Sequence, residues 1–157
     1  ESDLAEARPL LEAMGSRIFP TGKLGSGHAM KCLNNFLSAI GTAAASEAIV
    51  AGRTFGLDPA VMTDILNSST GRSNATEVKL KQFILSETWG SGFSMGLMAK
   101  DLTIAAGLAR SLGLDLPLLS ATAQQWTEAV HDLGPGADHT EIMRQIVAKA
   151  GAGDRQV

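Results

Sequence analysis

Lys31 and Asn35 stand four residues apart in the run G-S-G-H-A-M-K-C-L-N-N of residues 25–35. On a helix that spacing lets both side chains reach the same small molecule. At about 100° per residue, Gly27, His28, Lys31, Asn35, Ser38 and Thr42 fall in one narrow arc. Leu33, Phe36, Leu37, Ile40 and Ala44 make an apolar stripe on the other side, the stripe expected to be buried. A merely wet helix face carries charges of both signs, whereas this arc holds one lysine among short polar groups, which favours a site. If another domain roofs the arc, desolvation lowers the lysine pKa toward a range useful for proton transfer, and Lys31 can then act as general acid or base. The Asn35 amide would orient a hydroxyl or carbonyl oxygen.

Other candidates carry less. Gly25-Ser26-Gly27 suggests a dinucleotide fingerprint, but Met30 stands where the third glycine belongs and no acidic residue closes a second strand downstream. A helix start there still favours an anion such as a substrate carboxylate, with Gly27 as its backbone contact. On periodicity Lys100-Asp101 reads as an exposed charge pair. Glu47 falls on the apolar side, reads as structural and needs a partner. His28, His131 and His139 show no metal-ligand spacing, so no metal is expected, and Cys32 reads as a small buried hydrophobe.

The elements that must position these residues are helical. The 157 residues are 45% apolar and 18% charged, enough for one domain with a core. Aromatic content of 4% with no Tyr suits closely packed helices, and the fold class expected is all-α. A net charge of −3 argues against nucleic acid or anionic lipid as partner. A single cysteine, no secretory signal and no long apolar run point to a reducing, cytoplasmic setting without a membrane anchor. Capping signals and glycine stops predict helices over residues 3–14, 26–55, 59–68, 74–85, 95–112 and 117–133, and a last one from the Asp138/Glu141 box to about 150. Gly41 and Gly52 inside the long helix are expected to mark close helix crossings. Ile18-Phe19 could be a stub of strand, and the start at Glu1 without Met suggests a fragment.

The run G-K-L-G-S-G-H-A-M-K-C-L-N-N, residues 22–35, resembles the segment that links the two domains of β-hydroxyacid dehydrogenases, the group with 3-hydroxyisobutyrate dehydrogenase and tartronate semialdehyde reductase. Glu47 in S-E-A, G-L-D-P at 56–59, S-S-T-G-R-S at 68–73 and F-S-M-G-L-M-A-K-D-L at 93–102 continue the match in order. 6-Phosphogluconate dehydrogenases have a similar motif but carry His where Asn34 stands and have longer C-terminal domains. Imine reductases usually replace the lysine.

The resemblance implies an all-helical domain like the C-terminal domain of 6-phosphogluconate dehydrogenase, over residues 21–150. Residues 1–20 would be the end of an N-terminal Rossmann domain and 151–157 a frayed tail. It implies Lys31 as catalytic acid–base, Asn35 as substrate-binding, and Lys100 and Phe93 beside the nicotinamide. NAD or NADP would be bound mainly by the Rossmann domain, the substrate would be a small hydroxyacid, and the assembly a homodimer or homotetramer. The competing expectation is a helical oligomerisation module without chemistry of its own.

Overall fold

Local signals set the start and stop of most helices. In a computed structural model, which describes residues 2–151, the order is α1 (Ser2–Met14), α2 (Ser26–Phe55), α3 (Pro59–Ser68), a π-helix (Ala75–Ile84), α4 (Met95–Ser111), α5 (Pro117–Leu133), a 3₁₀ turn (His139–Glu141) and α6 (Ile142–Lys149). The expected tail beyond Gly151 lies outside the described residues. The all-α class holds: among the described residues there is no strand, only an isolated bridge between Ser94 and Asp138. Ile18 and Phe19 are not part of a strand, since a lone segment has no neighbour to complete its ladder. Among the described residues no helix is long and apolar enough to cross a membrane.

Asp58 caps α3 by accepting from the Val61 N–H at 2.9 Å, with Pro59 at the first helical position. Gly56 ends α2 at φ 103°, a left-handed conformation that glycine adopts without steric cost. The Asp138/Glu141 capping box is formed in full. The box expected between Asn74 and Glu77 is not. Asn74 caps nothing, Glu77 pairs with Arg72 at 2.6 Å, and the reciprocal bonds lie between Ser73 and Thr76. The segment then winds as a π-helix, with the Leu85 N–H reaching back five residues to Leu80 at 2.8 Å. Its inward positions, Ala75, Lys79, Leu80 and Ile84, recur at the wider spacing that such winding requires.

The long helix α2 runs through the middle of the fold against α4, α6 and the π-helix. Its inward face differs in part from the expected one: Phe36 packs against the core and Ile40 is half buried, but the rest of the expected stripe is not inward. Cys32, Ala39, Thr42, Ala43, Ser46 and Ile49 are buried, whereas Leu33 is 37% and Leu37 67% exposed, and Ala44 and Glu47 are also exposed. Small side chains let neighbouring helices approach closely. The hydroxyls among them bond back to their own helix, Thr42 to the Ser38 carbonyl at 2.7 Å and Ser46 to the Thr42 carbonyl at 2.8 Å, so they enter the core without stranded donors. Glu47, exposed, needs no partner. Gly52 marks a true close crossing, because a Cβ there would lie 2.2 Å from the Met62 methyl on α3. Around α2 the core is filled by Leu80, Met95, Leu102, Trp126 and Ile142, all with no exposed surface.

Candidate functional site

The polar arc of α2 meets α4 at one carboxylate. Lys31 Nζ and Asn35 Nδ2 both donate to Asp101 Oδ2 at 2.6 Å, and Lys100 Nζ stands 3.2 Å from the other oxygen, Oδ1. Asp101 has no exposed surface, while the side chains of Lys31 and Lys100 are half exposed. The carboxylate is therefore the buried floor of the site and the two ammonium groups are its rim. Burial alone would push the Asp101 carboxyl up, but hydrogen bonds from Lys31 and Asn35 and the ion pair with Lys100 more than reverse this and hold it below the usual range.

The same contact acts on Lys31 in the opposite sense. Its hydrogen bond to Asp101 outweighs its loss of solvent, and its pKa is raised. The lowered value expected under a roofing domain is a separate condition, since among the described residues no second domain covers the arc. Among these residues Lys31 stays half exposed, and its ion-pair partner is the Asp101 carboxylate. The contact with Asp101 favours the ammonium form, and half of the Lys31 side chain stays open to solvent. Asn35 uses one of its two amide hydrogens on Asp101, which leaves the other and the carbonyl oxygen for a ligand.

Lys31, Asn35 and Lys100, singled out from the sequence, are thus brought together, through a residue that had been read only as an exposed charge. Gly27 is not part of this contact network. It lies exposed in the first turn of α2, and a Cβ there would meet only Thr21 Oγ1 at 3.7 Å. His28 faces Cys32 at 3.9 Å, and Cys32 is buried with its thiol pushed up by desolvation, as expected of an inert core cysteine.

Phe93 belongs to a neighbouring cluster. Asp138 accepts from Ser91 Oγ, the Gly92 N–H and the Thr140 N–H and hydroxyl, which pins the loop before α4 to the start of the last helical segment. The His139 N–H donates to the Phe93 carbonyl at 2.8 Å, and its ring meets Phe93 edge-on at 5.7 Å and stacks on Trp126 at 6.3 Å. Burial lowers the His139 pKa, so the imidazole is a neutral strut. The capping box was the only signal in the sequence for this role. Among the described residues no group of three or more His, Cys, Asp or Glu could hold a metal ion.

Comparison with known proteins places the chain in a family. Residues 25–146 match the family model described as NAD-binding of NADP-dependent 3-hydroxyisobutyrate dehydrogenase. The 2-(hydroxymethyl)glutarate dehydrogenase of Eubacterium barkeri is 36% identical over 146 residues, covering 93% of this chain and 48% of that protein. Among solved structures, Mycobacterium tuberculosis 3-hydroxyisobutyrate dehydrogenase with L-serine superposes with a TM-score of 0.86 at 29% identity, over 93% of this chain and 52% of the other. Psf3 in complex with NADP+ and 2-OPP follows at 0.77 and 28%, over 92% and 50%. The chain spans about half the length of the relatives it matches.

Proposed function

This chain belongs to the 3-hydroxyisobutyrate dehydrogenase family, and on that premise we propose that it is the helical catalytic half of an NAD(P)-dependent dehydrogenase of small 3-hydroxyacids. The observation that carries this reading is the convergence of Lys31 and Asn35 on the buried carboxylate of Asp101. When a carbonyl is reduced, the Lys31 ammonium donates a proton to its oxygen; when the alcohol is oxidised, the neutral amine removes the hydroxyl proton. Asn35 hydrogen-bonds the same oxygen and fixes its direction. Asp101 touches no substrate and holds both groups in place.

The residues present fit the nicotinamide end of a dinucleotide and not its phosphates. Lys100 has a half-exposed ammonium with donors to spare, Phe93 offers a half-buried ring, and the sequence lacks the glycine fingerprint that cradles a pyrophosphate. A bound nicotinamide would accept or supply the hydride, with Lys100 and Phe93 as this chain's contacts to it. Residues 21–150 form the helical domain in this reading, with Gly27 presenting its backbone N–H to the substrate carboxylate. Residues 1–20 close an upstream Rossmann domain, which would cover the exposed Leu10, Met14 and Phe19. A cytoplasmic setting suits the buried, unpaired Cys32.

A second property has its own observation. Met30, Leu33 and Leu37 are exposed on the outer face of α2, away from Asp101. A second copy of the chain covering that face gives a homodimer, or a homotetramer by repetition. The interaction-module reading is then a property of the outer face, while the inner face carries the chemistry.

The deciding experiment is turnover of a small 3-hydroxyacid by the full-length enzyme with Lys31→Ala. A loss of about 10²–10⁴-fold in kcat is expected for a positioned acid–base group. A loss under about tenfold would overturn the assignment.

A further inference from the structure

Lys79 is a buried charge that the chemistry above leaves without a task. It lies on the inward side of the π-helix, 8% exposed, and its ammonium donates to Ser38 Oγ at 2.7 Å and to Thr42 Oγ1 at 3.2 Å. Both acceptors are neutral hydroxyls, so among the described residues no carboxylate bonds to this cation and one of its three donors is left over. Asp138 faces it from farther away, but that carboxylate already accepts from Ser91, Gly92 and Thr140. His139 also faces it and gives no negative charge; its buried Nε2 has no partner. A buried cation without an anion is costly, and burial lowers the Lys79 pKa accordingly.

The position of this charge relates it to the site. Ser38 and Thr42 continue the arc of α2 that carries Lys31 and Asn35. At 1.5 Å per residue, Ser38 lies about 4.5 Å along the helix from Asn35 and about 10 Å from Lys31. Ser38 also lines an open cleft of about 500 Å³ between α2 and the start of the π-helix, with Asn34, Gly41, Ser73 and Asn74 and, at its apolar edge, Leu37 and Ala75. The Ser38 oxygen accepts from Lys79 on its buried side, so its own proton is free to donate into the cleft, and the charge behind it makes that donor stronger.

We propose that Lys79, acting through Ser38, forms a subsite for a second carboxylate on the substrate, so that the enzyme prefers 3-hydroxyacids whose side chain ends in a carboxylate. The proposal rests on the reading of Lys31 and Asn35 as the reacting end. With the hydroxyl at Lys31, a carboxylate a few carbons away reaches Ser38, and the uncompensated charge of Lys79 gains the anion it lacks.

The test compares kcat/KM of the full-length enzyme for a 3-hydroxyacid bearing a side-chain carboxylate and for the same acid with methyl in its place. A preference for the diacid of at least about tenfold is expected, expressed in KM, falling at least about tenfold in Lys79→Met and largely kept in Lys79→Arg. Ser38→Ala leaves the buried charge in place and carries the same expectation should Lys79→Met fail to fold. A preference that neither Lys79→Met nor Ser38→Ala moves overturns the subsite. Thermal shift with glutarate, against its monomethyl ester, reads the subsite without turnover. If no hydroxyacid is oxidised, the role of Lys31 fails, yet a glutarate-specific shift lost in Lys79→Met still supports the subsite. Equal shifts with the two probes overturn it.

Discussion

Lys31 and Asp101, 70 residues apart, are joined at 2.6 Å by a bond with one end in the core and the other in solvent. A fully buried carboxylate holding a half-exposed ammonium fixes the direction of the amine while leaving its outer donors open. It also sets the protonation state, since Asp101 raises the Lys31 pKa. Under the proposed role of Lys31, reduction, which needs the ammonium, would be served over a wide pH range. Oxidation, which would need the free amine, is expected to gain with rising alkalinity.

Replacing Asp101 by Asn removes the charge and keeps the shape. Lys31 then loses the partner that raises its pKa, so the alkaline rise of alcohol oxidation is expected to move to lower pH. The plateau rate is expected to fall about tenfold or more, because the amine is no longer held in one direction. The pH–rate profiles of the two proteins check this. A variant with the same profile position and a lower plateau would leave Asp101 a structural role alone.

Stability against acid separates into two steps whose signs follow from the shifts. His139 has a pKa lowered from 6.5 by burial, so as pH falls through that value the unfolded chain takes up a proton that the folded chain refuses, and stability declines. Asp101 and Asp138 have pKa values lowered from 3.8 by their hydrogen bonds, against the effect of burial. Their contribution is complete above the ordinary carboxylate range and is lost as pH falls through the depressed folded values. Urea midpoints measured from pH 8 to pH 3 are expected to show a decline below about pH 6.5 and a steeper one below about pH 4. In His139→Gln the first decline is expected to flatten, whatever the change in absolute stability. The same slope in both proteins between pH 7 and pH 5 would refute the assignment to His139.

How much of this was legible depends on how locally each feature is determined. Lys31 and Asn35 share one helix, so the period of that helix aligned them without knowledge of the fold. Asp101 is brought in from another helix, and only packing reveals that the Asp of the Lys100-Asp101 pair is buried while the Lys is not. The boundaries of α3 and of the segment after Asp138 were readable because caps and prolines act within a few residues. The π winding was not, since its start carries the same Ser, Asn and Glu signals as an α-helix. The buried face of α2 was misread in part for a related reason: Phe36 does pack against the core, but Leu33, Leu37 and Ala44 do not. Apolar periodicity marks surface that avoids water, whatever covers it, and up to Ser46 the inward side of α2 is built mainly from Ala, Cys, Ser and Thr, with Ile49 and Val50 following, while the leucines point outward.

That outward stripe gives the last prediction. Leu37 is 67% exposed on α2, with Leu33 one turn before it and Met30 one turn earlier still. In an isologous dimer each of these side chains enters the contact twice, once from each copy. Exchanging a buried Leu for a charge forfeits at least about 1.5 kcal/mol per copy, so Leu37→Glu is expected to weaken association by about 3 kcal/mol or more, over a hundredfold in Kd. Light scattering over a range of concentrations reads this as a shift from dimer toward monomer. Thermal stability extrapolated to the monomer is expected to change little, because Leu37 fills no space in the core of its own chain. Association unchanged by Leu37→Glu would show that the stripe does not form the contact. A wild-type protein that is monomeric at every concentration would show that no second copy covers it.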